Sequence, residues 1–78
     1  MKKEPNELTG QVRARLGAER LAALAETPGA HALGGIEAVV TAACTQCAGF
    51  PQPEISAAVR VLQLCGCVAK PEDLEGLS

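Results

Sequence analysis

One stretch constrains this chain more than any other: Gly49-Phe-Pro-Gln-Pro-Glu-Ile-Ser-Ala-Ala-Val-Arg-Val-Leu-Gln-Leu-Cys-Gly-Cys-Val68. Gly49 to Pro53 is a run of turn-forming residues. From Glu54 onward Ile55, Val59 and Leu62 recur at i, i+4 and i+7, one face of a helical period. Pro53 suits the first helical turn, where its missing N–H leaves no bond unmade. The helix is predicted to end near Cys65, because Gly66 tolerates the left-handed backbone that closes helices. Cys67 and Val68 then start an extended segment. A second apolar stripe runs through Ala57, Val61 and Leu64. A helix dry on two sides is buried on two sides; here its second contact is the N-terminal helices or another subunit.

The rest of the chain also reads as helix. Residues 1–6 form a charged lead-in, with Asn6 as the N-cap of a helix and Glu7 in its first turn. Leu8, Val12 and Leu16 at i, i+4, i+8 predict an amphipathic helix over residues 7–16. Gly17 breaks it, or the helix continues through the Ala-rich run to Ala25 with Leu21 and Leu24 on the same face. Thr27-Pro28-Gly29 stops it, and residues 27–34, including the sole histidine His31, read as a connecting loop. A further helix is expected from Ile36 to about Ala48, with Val39, Val40, Ala43, Cys44 and Cys47 apolar. The domain spans residues 7–68, and residues 69–78, with Glu72, Asp73 and Glu75, read as an acidic tail holding at most one helical turn. The fold class is therefore all-α: a small bundle of about four helices whose last two form a helix-turn-helix-like pair.

Length and composition narrow the function. Seventy-eight residues make one domain, which buries roughly 60–65% of its unfolded surface. One Phe, no Tyr and no Trp leave a core of aliphatic residues and Cys. Such a core is small, and burial in a homodimer is a natural remedy. The expected dimer or partner surface is Val61, Leu64, Leu8 and Val12. The formal net charge of −2 gives no global attraction to phosphate. It is unevenly spread: residues 1–20 are net +2 through Lys2, Lys3, Arg13, Arg15 and Arg20 against Glu4, Glu7 and Glu19. No signal peptide pattern and no membrane-length apolar run is visible, so a cytoplasmic protein with reduced thiols and no membrane partner is expected.

The stretch 49–68 resembles the recognition segment of winged helix-turn-helix repressors, and most closely the arsenic-repressor (ArsR-type) family of metal-responsive regulators. That segment reads roughly Gly-Leu-Ser-Gln-Pro-x-[Val/Ile]-Ser-x-x-Leu-x-x-Leu-x-x-x-Gly-Leu-Val. Gly49, Gln52, Pro53, Ile55, Ser56, Leu62, Gly66 and Val68 stand at its matching places. The likeness covers about a quarter of the chain. It implies a DNA-binding transcriptional regulator. Two departures are plain. Twelve residues follow Gly66, with Pro71 among them and no second strand pattern, so the β-hairpin wing is absent or vestigial. The family's Cys-Val-Cys-x-x-Cys metal motif finds no match.

The four cysteines form Cys44-x-x-Cys47 and Cys65-x-Cys67, a pattern with zinc-site overtones. Geometry opposes one shared site, because Pro53 to Cys65 spans about 18 Å of helix while Zn–S bonds are near 2.3 Å. A disulfide between the pairs meets the same objection. Cys44 and Cys47 read as core, Cys67 as the more exposed, and no cofactor is expected. Only a site shared across a dimer escapes the distance argument.

Three functions follow. In the first, a small regulator reads DNA with Gln52, Ser56, Ala57 and Arg60, at and just before the N-terminal half of the 54–65 helix. In the second, the same scaffold is a protein–protein interaction module: an adaptor, antagonist or accessory subunit. In the third, the thiols make a metal or redox sensor. No convergent Ser/His/Asp or Cys/His arrangement and no phosphate-cradling loop suggests an enzyme. Exposure of Ala57 and Val61 separates the first two, because an uncovered apolar stripe implies a partner.

Overall fold

The computed structural model describes residues 5–67. Five helices follow one another among them: α1 Pro5–Leu16, α2 Ala18–Ala25, α3 Pro28–Ala32, α4 Ile36–Cys47 and α5 Pro53–Leu64. No strand occurs among the described residues, so the architecture is the all-α bundle the sequence predicts. Val68 and the tail, where any extended segment, wing or last helical turn must lie, fall outside the described residues.

The bundle is built on three helices. α5 packs against both α4 and α1, and α1 packs against α4. α2 and α3 carry the chain between α1 and α4. Each long helix supplies its apolar stripe to one core: Leu8, Val12 and Leu16 from α1, Val39, Val40, Ala43, Cys44 and Cys47 from α4, and Ala57, Ala58, Val59, Val61 and Leu62 from α5. Leu24, Ala30 and Cys65 complete it. Among the described residues no polar or charged side chain is buried. This aliphatic core uses small residues, so the helices approach closely and their faces interlock by shape.

The two apolar sides of α5 are thereby explained. One meets α4 and the other meets α1, as the N-terminal alternative anticipated. The expected dimer surface is corrected: Val12 and Val61 are fully buried and Leu8 nearly so within one chain, and half-buried Leu64 packs against the same core. Leu8, Val12 and Val61 fill this core and leave no surface for a second copy, while Leu64 keeps part of its surface.

Two boundaries differ from expectation, and one open alternative is decided. α1 begins at Pro5, so Asn6 lies inside the helix; proline fits the first position, where no N–H bond is lost. Gly17, at φ 85°, separates α1 from α2, which settles two helices over one. The expected loop at 27–34 contains α3. There the Thr27 hydroxyl accepts the Ala30 N–H at 3.2 Å and donates to the Leu24 carbonyl at 2.7 Å. One side chain closes α2 and caps α3, and Pro28 starts a helix as well as stopping one.

α5 ends as the sequence predicts. Gly66 has φ 92°. Its N–H bonds the Gln63 carbonyl at 3.0 Å, and the Cys67 N–H bonds the Leu62 carbonyl at 2.8 Å. These two bonds are the Schellman closure, which satisfies carbonyls that the last turn leaves without partners.

Candidate nucleic-acid interface

With two sides of α5 covered, one remains open. Gln52, at the N-cap, is exposed; Ser56 and Arg60 are half-buried; Gln63 is exposed. They fall at i, i+4, i+8 and i+11, one line along the helix. Each carries a group that donates or accepts hydrogen bonds at a base edge or backbone. The amphipathic pattern that buries Ala57, Ala58, Val61 and Leu62 turns this line outward.

The line borders a groove of about 460 Å³ between α4 and α5. Gln46 and Cys47 come from the end of α4 and Phe50 from the turn at residues 48–52. Ser56, Val59, Arg60 and Gln63 come from α5. Across the groove the Arg60 Nε–H donates to the Gln46 side-chain oxygen at 2.8 Å. Phe50, the only aromatic residue of the chain, is 53% exposed. The floor is apolar through Cys47 and Val59, and the rim is polar.

Three of the four cysteines behave as core residues. Cys44, Cys47 and Cys65 are buried, Cys67 is exposed, and all four are free. Burial pushes the Cys44 thiol above its ordinary pKa, partly offset by a weak hydrogen bond from the Thr9 hydroxyl at 3.8 Å. Burial also raises Cys47; the Arg60 charge pulls it down and Cys44 pushes it up, for a net rise. Burial thus favours the neutral thiol at both positions, which disfavours nucleophilic attack. Among the described residues no group of three or more His, Cys, Asp or Glu side chains is placed to hold a metal ion.

The sequence-predicted contact residues separate. Gln52, Ser56 and Arg60 share the open face. Ala57 does not: it is fully buried and is corrected to a core residue, because one helical step of about 100° carries it from Ser56 into the packed side. Glu54 lies on another face, beside Gln11, Ala14 and Arg15 of α1. Arg13 pairs with Glu37 of α4, and Arg20 sits near the α1–α2 junction. His31 is exposed on α3.

Three groove residues escaped the sequence reading. Gln63 continues the Gln52–Ser56–Arg60 line and could have been found by extending it. Phe50 was visible as the lone aromatic in a turn. Gln46 carries no sequence signal, because only the tertiary pairing of α4 with α5 brings it to Arg60. Among the described residues no helix is long and apolar enough to cross a membrane. Compared with protein-family models, curated proteins and solved structures, the chain matches none.

Proposed function

We propose that this chain is a small DNA-binding regulator that reads duplex DNA with the open face of α5. The observation that carries the reading is the division of α5. Its two apolar sides are used up inside the chain, against α4 and α1. What faces outward is Gln52, Ser56, Arg60 and Gln63. A recognition helix needs this arrangement: a helix held from behind by its own domain, with hydrogen-bonding side chains toward the major groove. The uncovered stripe that would have marked a partner interface is absent, since Ala57 and Val61 are fully buried. The resemblance of residues 49–68 to the winged repressors supports the same assignment.

The reading assigns Arg60 the chief polar contact. Replacing Arg60 with Ala is expected to weaken duplex binding and lower its salt dependence by about one phosphate equivalent if the contact is to phosphate. If it is to a base, affinity for preferred sequences falls roughly ten- to a hundredfold. Fluorescence anisotropy with mixed-sequence duplexes checks this. Binding equal to that of the unaltered chain removes α5 as the reader.

A second reading rests on Phe50. An exposed aromatic ring beside an apolar floor is the kind of anchor that protein interfaces use, and the net charge of −2 suits a protein partner better than a phosphate backbone. On this reading Phe50→Ala abolishes partner capture and leaves DNA affinity unchanged.

A further inference from the structure

We infer that Gln46 of α4 is a positioning residue for Arg60, and that the pair makes the site select guanine at one base-pair position. This rests on the reading of α5 as the DNA-contacting helix. Arg60 and Gln46 come from different helices, and the Arg60 Nε–H donates to the Gln46 side-chain carbonyl at 2.8 Å. A guanidinium offers only donors, so the facing atom of Gln46 is its oxygen and not its amide nitrogen. The bond uses one of the five N–H groups of arginine. The Nη1 and Nη2 groups at its end stay available as a parallel fork. Such a fork matches the two adjacent acceptors, O6 and N7, that guanine presents in the major groove. No other base pair shows two acceptors side by side on one base there.

The tether gives the arginine direction. A free arginine samples many rotamers and loses that freedom on binding, whereas a held fork has lost part of it beforehand. Arg60 is half-buried and stands over the Val59–Cys47 floor of the groove, which further limits its stem. Gln46 itself is exposed near the C-terminal end of α4. Its replacement therefore alters the fork without opening the core. The wrong base forfeits one or both bonds of a fork that cannot easily turn elsewhere. A single arginine thus supplies selectivity on a surface otherwise poor in cations.

Selection from a random duplex library tests the pair, comparing the full chain with Arg60→Ala, Gln46→Leu and Gln46→Glu. Equal melting temperatures establish that each variant is folded. The unaltered chain is expected to enrich a short motif containing one guanine that Arg60→Ala loses. Gln46→Leu, which keeps bulk but has no acceptor, is expected to weaken preference for that same guanine roughly two- to tenfold, the range of one typical hydrogen bond. The rest of the motif stays unchanged. Gln46→Glu restores an acceptor and the preference. Full guanine preference in Gln46→Leu overturns the positioning role while the DNA reading stands. An enriched motif unaffected by Arg60→Ala overturns the assignment of guanine to this pair. No enrichment by any protein, with no duplex binding, overturns the DNA reading and the inference together.

Discussion

At the scale of single residues, Gly29 is the described glycine with the least room around it. A methyl group there would lie 2.6 Å from the Leu64 carbonyl oxygen and 2.9 Å from backbone atoms of Cys65. These are backbone atoms at the end of α5, so no side chain can swing away to make room. α3 is pressed directly onto the C-terminal end of α5. Gly29→Ala is therefore expected to destabilise the chain by about 1–3 kcal/mol, the usual cost of overpacking. Chemical denaturation checks this, and an unchanged midpoint would mean that α3 does not rest on α5. The sequence shows Gly29 only as part of Thr27-Pro28-Gly29, a stop signal. Nothing in that triplet announces that its glycine touches a carbonyl thirty-five positions along the chain. Gly66 was legible for the opposite reason. Its role depends on a local backbone angle at the end of a visible apolar pattern, and local geometry is what a sequence expresses best.

At the scale of elements, legibility followed periodicity. α1, α4 and α5 each show an apolar residue every three or four positions, and all three were anticipated to within about two residues. α3 is too short to display a period, and its Pro was read as a stop when it is also a start. The two sides of α5 were also visible, but which neighbour covers the second side was not. That depends on how α1 returns across α5, a long-range pairing without a local signature. Cys44 and Cys47 on the buried face of α4 give this scale its prediction. Their thiol pKa values are raised by burial, so the folded chain holds these protons more tightly than the unfolded chain does. Stability is then flat through neutral pH, where both states are protonated. It falls above the ordinary thiol value of about 8.5, as the unfolded chain ionises first. Urea midpoints measured from pH 7 to pH 10 check the sign, and stability rising over that interval would contradict it.

At the scale of the whole molecule, the core is closed within one chain. Leu8, Val12 and Val61 lie inside it, so folding requires no second copy to cover them. The melting temperature is expected to be independent of protein concentration over about a hundredfold range. A rise with concentration would show that a second copy covers another face, since binding that favours the folded state raises the midpoint by mass action. Among the described residues, the large apolar side chains left exposed are Leu33 and Phe50. They lie on separate segments, one after α3 and one in the α4–α5 turn. Charge is the whole-molecule property that most limits the proposed function. With a formal net charge of −2, attraction to DNA must come from local contacts and from the polarity of the α5 face, not from a general positive field.

The most direct test of DNA reading by α5 is the affinity of the unaltered chain for a mixed-sequence duplex at 50 and 200 mM salt. The account predicts binding at micromolar to hundred-micromolar concentration. Affinity should fall as salt rises, by roughly three- to fourfold for each phosphate contact made. No binding at about 10⁻⁴ M at either salt, near the weak limit of ordinary non-specific association, would contradict it and leave the Phe50 groove as the working surface of the molecule.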